Sequence, residues 1–297
     1  GLKEFLKEYP KDKIYAPGSL LKVGVIHLTR KEYEEAQKWL DKLWSQFPNS
    51  NAAQSAKFIL FEVFIRTGEQ EKAEKIAKEL AAKMDELPFG NLAFIAFKLF
   101  GENDRGEVTC MEPKLAAIAL SEILRRADTN SPDRAKAPRL RGKARSRQAE
   151  TSFLLQQYET TIKQANELLR IDPKTPYFFD LWTIKGRAYR KQKKYEESLR
   201  QFDKILTLID KRKYVFDYYR AVVGSGYTLL EMPDKQSVQR ALFRFQQVVE
   251  FADPKNEELD LVIQRAYVGL IKSYALLGKS TEAAGAQSKF RLRYPRS

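Results

Sequence analysis

"KEYEEAQKWLDKLWSQFPNS" (residues 31–50) and "KKYEESLRQFDKILTLID" (193–210) carry one pattern twice. Each places an aromatic, two acids and a small residue in a row: Tyr33 to Ala36 in the first, Tyr195 to Ser198 in the second. Four and seven positions past the small residue come Leu40 and Leu43, or Phe202 and Ile205. That spacing is one face of a 3.6-residue helix. The leading acids suit the positive end of such a helix.

Looser copies follow along the chain: "EQEKAEKIAKELAAKM", "QQYETTIKQANELLRIDP", "SVQRALFRFQQVVEFADP" and "STEAAGAQSKFRLRYP". The small residues are Ala36, Ala73, Ala116, Thr161, Ser198, Ala241 and Ala283, about forty residues apart, a period that marks a repeat array. Each is preceded by another helical stretch. Trp182, Gly186 and Tyr189 share a stripe in one, Leu20, Gly24 and His27 in another, and Gly224 and Tyr227 recur in a third. A mid-helix glycine costs ~1 kcal/mol against alanine, so its recurrence predicts close packing, against the small residue of the paired helix. Pro48, Pro88, Pro173, Pro254 and Pro295 mark the ends of units.

These residues resemble the tetratricopeptide repeat family. The Trp-Gly-Tyr stripe, the Tyr-x-x-Ala/Ser signature and the terminal proline match it in 174–211, and the resemblance extends over nearly the whole chain as seven units. It is loosest over 88–127 and 137–173. The resemblance implies an all-α fold, a right-handed superhelix of antiparallel helix pairs whose concave face binds partners. The endings "FPNS" and "YPRS", with "FLKEYP" near the start, also look like the repeats of bacterial envelope lipoproteins. That likeness points to the periplasm or envelope, with the cytoplasm as the other reading. Residues 2–10 match the close of a second helix, so the natural protein is expected to extend further toward its N-terminus. The expected organisation is an N-terminal block (1–127), a basic connector (128–148) and a C-terminal block (149–297).

The chain has 297 residues, 43% hydrophobic and 31% charged, with a net charge of +14. No run approaches the roughly 18 apolar residues of a membrane helix. One cysteine, Cys110, allows no intrachain disulfide. The positive balance favours acidic partners. It is concentrated in 125–147, where nine basic residues face only Asp128 and Asp133.

Within the resemblance, groove-facing positions fall at Asp180, Thr183, Arg187, Arg190 and Lys191, and at Arg265, Val268 and Lys272. In the first units they fall at Leu21, Val25 and Leu28, then Phe58, Glu62 and Ile65. The expected partner-binding set is therefore Arg187, Arg190, Lys191, Arg265, Lys272, Leu21, Val25 and Phe58. It suits a protein or peptide with an acidic stretch and a few apolar anchors. The segment "RAKAPRLRGKARSR" (134–147) has two readings. Arg139, Arg141, Lys143, Arg145 and Arg147 could grip a polyanion, nucleic acid or acidic polysaccharide, by charge-assisted contacts. Alternatively the segment is a solvated join, with Pro138 opening a helix that runs to about Arg170.

Nothing in the chain assembles catalytic chemistry. His27 is the only histidine and sits at a packing position of its repeat. Cys110 has neither a second cysteine nor a nearby histidine for a zinc site or a nucleophile pair. "GSG" at 224–226 follows no strand and lacks a third glycine, so it reads as packing rather than phosphate binding. A calcium loop around "ENDRGEVTCMEP" fails because Arg105 and Val108 stand at ligand positions. The expectation is a non-enzymatic scaffold with no cofactor and no metal. The competing hypotheses are a binder of an anionic polymer and an accessory domain of an enzyme.

Overall fold

The computed structural model describes residues 1–87, 89–102, 108–128 and 138–295. It divides into two compact units, one of 1–99 with 111–134 and one of 100–110 with 135–297.

The first unit holds α1 (Leu2–Glu8), α2 (Ala16–Thr29), α3 (Tyr33–Gln46), α4 (Asn51–Thr67), α5 (Gln70–Ala82), α6 (Phe89–Lys98) and α7 (Pro113–Asp128). The second holds α8 (Pro138–Leu154), α9 (Tyr158–Ile171), α10 (Phe178–Lys191), α11 (Tyr195–Leu208), α12 (Val215–Leu230), α13 (Lys235–Phe251), α14 (Asp260–Leu276) and α15 (Ser280–Arg293). From α2 onward the helices pack as consecutive pairs. Five of the turns within pairs use the same device, one residue in the left-handed region: Lys31, Gly68, Gln156, Lys193 and Gly278, with φ between 60 and 78°.

The Gln156 turn corrects one expectation. The helix that opens at Pro138, as one reading of the sequence had it, stops at Leu154 instead of continuing to Arg170. A second difference lies between α6 and α7. There β1 (Phe100–Glu102) and β2 (Val108–Cys110) pair antiparallel, with Phe100 opposite Cys110 and Glu102 opposite Val108. By its contacts this hairpin belongs to the second unit, although helices of the first unit flank it in sequence.

The recurrent glycines pack closely against the paired helix, where the small residue expected is in reach but a bulkier side chain lies nearer. A Cβ on Gly186 would lie 2.7 and 2.8 Å from Cζ and Cε2 of Phe202, and one on Gly224 would strike the same ring. Phe202 is thus held between the glycine of its own first helix and that of the next pair. Phe245 is held in the same way between Gly226 and Gly269. So each glycine of 224–226 serves a different phenylalanine. In the first unit Gly24 lies against Leu40. The neighbour is therefore the bulky residue four positions past the small one. The small residue itself helps fasten the pair, since the Ser198 hydroxyl donates to the Gly186 carbonyl at 2.8 Å. Phe202 and Phe245 are both fully buried.

Candidate partner-binding groove

The first helices α10, α12 and α14 lie side by side in the second unit. Positions 187, 190 and 191 share a face of α10, and 265, 268 and 272 share a face of α14, because residues three and four apart are neighbours on a helix. The two faces line one open groove of about 700 Å³, walled also by Tyr227 of α12, Phe153 of α8 and Val108 of β2. The structure therefore brings together Arg187, Arg190, Lys191, Arg265 and Lys272 from the expected set. Lys191 and Lys272 are exposed, Arg187 and Arg265 half-buried, and Arg190 buried.

Aromatic rings hold the guanidinium groups in place. Arg187 lies 4.4 Å from the Phe153 ring centroid. Arg190 and Arg265 flank Tyr227 at 5.9 and 5.5 Å, distances suited to cation–π attraction. The Tyr227 hydroxyl donates to the Arg265 carbonyl at 2.9 Å. Arg190 also lies 3.5 Å from Glu231.

A second, smaller cavity of about 40 Å³ shares Arg187, Arg190 and Arg265 with the groove and adds Glu150, Asp180, Thr183 and Arg220. Arg220 donates to Asp180 and to Asp217, each at 2.7 Å. Burial works against its charge, but the two carboxylates outweigh that and hold it firmly protonated. Burial pushes Asp217 above the ordinary carboxylate range, against the pull of Arg220. Glu150 is pushed up as well, first by burial, with Arg187 the leading opposing charge.

The first-unit members of the expected set do not join this groove. Leu21 is half-buried and Val25 is 39% exposed, but Phe58 is only 5% exposed. Phe58 is a core side chain, and its assignment to a partner surface is corrected: α4 buries Leu60, Phe61, Val63 and Phe64 beside it. His27 is buried, with Nδ1 2.5 Å from a Glu32 carboxylate oxygen.

The basic segment is not a solvated run where it is described. Arg141, Lys143, Arg145 and Arg147 are half-buried on α8, around the fully buried Ala144. Arg145 donates to Glu167 at 3.0 Å, and Arg147 lies over the Phe100 ring at 5.0 Å. In the first unit, Arg126 is buried against Glu122 (2.7 Å) and the Asp85 carbonyl (2.7 Å), while Arg125 also binds Glu122. The Arg139 side chain and residues 129–137 lie outside the described residues.

Three features escaped the sequence reading. Glu150 was not singled out by any sequence pattern. Arg220 had no signal. Lys185 is buried with its ammonium 3.9 Å from the Trp182 ring centroid, and Lys204 lies 4.9 Å from the same ring. Burial, followed by repulsion from Lys204, lowers Lys185 to about 8. Among the described residues no cluster could hold a metal ion, and no helix is long and apolar enough to cross a membrane.

With this geometry in hand, comparison with known proteins defines the class. A tetratricopeptide repeat model matches residues 19–50, the span of most of α2 with α3 and its terminal turn. The crystal structure of the apo form of RapI superposes with a TM-score of 0.53 at 14% identity, covering 95% of this chain and 77% of that one. No curated protein matches the sequence. The chain has the tetratricopeptide-type α-α fold.

Proposed function

We propose that the groove of the second unit captures a protein or peptide partner through an acidic stretch, and that the chain works as a non-catalytic interaction scaffold. The convergence of Arg187, Lys191, Arg265 and Lys272 from α10 and α14 around Tyr227 carries this reading. Stacked helix pairs present an extended recessed surface by construction. An aromatic floor between cations suits a peptide that alternates acids with apolar side chains. The tetratricopeptide match and the likeness to RapI support a binding surface of this general kind.

The test compares panels of acidic, neutral and basic nonapeptides by fluorescence anisotropy on the full chain. The acidic panel should bind most tightly and lose affinity with salt. Lys191→Glu with Lys272→Glu, both exposed, should cut that affinity about tenfold or more, since reversing rim charges changes sign as well as strength. Equal affinity across the panels, or indifference to the double reversal, would overturn the assignment.

A further inference from the structure

Glu150 and Thr183 each leave an oxygen, Oε2 and Oγ1, buried without a hydrogen-bond partner, and both residues line the small cavity that adjoins the groove. Their side chains belong to residues only 7% and 8% exposed. A buried polar atom left unpaired is costly, so two in one cavity mark a place where a ligand atom would be welcomed. Gly224 contributes a wall without a side chain. Arg187, on the same wall, belongs to the groove as well.

We propose that this cavity is a pocket for one side-chain carboxylate of an acidic peptide, held by a proton on Glu150, the Thr183 hydroxyl and the Arg187 guanidinium. The inference rests on the groove reading above and names the anchoring point within it. The space suits a group of this size, because about 40 Å³ accommodates a carboxylate and little more. An entering ammonium would instead meet Arg187, Arg190 and Arg220.

The charges around Glu150 explain why it can donate. Arg147 faces it from α8, Asp180 and Arg187 from α10, and Arg220 from α12. Arg220 is already engaged by Asp180 and Asp217. Burial raises the Glu150 carboxyl, and a second carboxylate arriving beside it raises it further, because two such groups in one site share a proton. Binding is therefore linked to uptake of one proton when Glu150 starts ionised. The only covalent change is the O–H bond formed on Glu150 with a proton taken from solvent.

The probe is fluorescein-labelled hexaglutamate amidated at its C-terminus, titrated into the full chain between pH 6 and pH 9, where its side chains stay ionised. Wild-type affinity should fall by about tenfold per pH unit above the Glu150 midpoint, the slope of one linked proton. Glu150→Gln keeps a donor without titrating, so its profile should be flat. Thr183→Val should weaken binding by a similar factor at every pH. A flat wild-type profile, or the wild-type slope retained in Glu150→Gln, would overturn the pocket. So would a labelled hexa-alanine with a free C-terminus binding better than the amidated hexaglutamate. Hexaglutamate that binds and responds to Lys191→Glu while ignoring Glu150 and Thr183 leaves the groove standing and removes the pocket. Absence of binding at any pH removes both.

Discussion

Adding one methyl group at Gly186 should cost stability even though alanine is the better helix former. The new Cβ would sit 2.7–2.8 Å from two atoms of the Phe202 ring, against an optimum of about 3.5–4.0 Å for carbon pairs. The ring would have to retreat by roughly 1 Å, but Gly224 already touches its other side and the residue is fully buried. Overpacking of this kind costs ~1–3 kcal/mol, and helix propensity returns ~1 kcal/mol. Gly186→Ala should therefore be net destabilising by about 1 kcal/mol. Gly285→Ala is the control, because Gly285 lies inside α15 with nothing within 4 Å. It should gain ~0.5–1 kcal/mol. Urea unfolding followed by tryptophan fluorescence reads both effects, in a Trp39→Phe, Trp44→Phe background where Trp182 alone reports the second unit. Adding Phe202→Leu should remove much of the Gly186→Ala penalty, an interaction energy that a double-mutant cycle isolates. Gly186→Ala and Gly285→Ala stabilising alike would refute the clamp.

Arg220→Met should destabilise the second unit by about 1–2 kcal/mol, below the cost of breaking a fully buried pair, because the partly exposed Asp180 and Asp217 lose their shared cation but can be reached by solvent. An unchanged urea midpoint for that variant would contradict a stabilising role for the Arg220 charge cluster. In the first unit, Arg125 and then Arg126 hold the Glu122 carboxyl below its ordinary range. A lowered folded value contributes stability above the ordinary carboxylate range, and that contribution is lost as pH falls through the folded value. Glu122→Gln should accordingly be less stable than wild type near neutrality and lose less on acidification, as thermal melts at neutral and strongly acidic pH will show. Parallel melting curves for the two proteins would count against it.

The helix pairs were legible because a repeat states its packing several times over. The face of Leu40 and Leu43 is written again as Phe202 and Ile205, and both sets are buried. The cationic positions at 187–191 and 265–272 were implied by the resemblance to the tetratricopeptide repeat rather than by periodicity, and α10 and α14 bring them to one groove. Phe58 misled because α4 is apolar on most of its circumference, so its pattern does not single out a groove face. The turn at 155–157 was invisible, since Gln156 adopts a left-handed backbone without the glycine that announces it elsewhere. The β1–β2 hairpin has only three residues per strand, too few for alternation to register. Glu150 and Thr183 could not be foreseen as a pair, because only the lateral stacking of α8 against α10 brings them to one cavity.

The hairpin at 100–110 gives the second unit a discontinuous address in the gene. It leaves the ribosome before any of the helices from α8 onward exist, and α7 of the earlier unit is synthesised in between. A fragment starting at residue 135 would lack the strand bearing Val108, which walls both the groove and the cavity beneath it. Excising the C-terminal helices by themselves would thus alter the very surface one hoped to isolate, whereas a cut N-terminal to Phe100 would keep that strand and sacrifice the earlier helices instead.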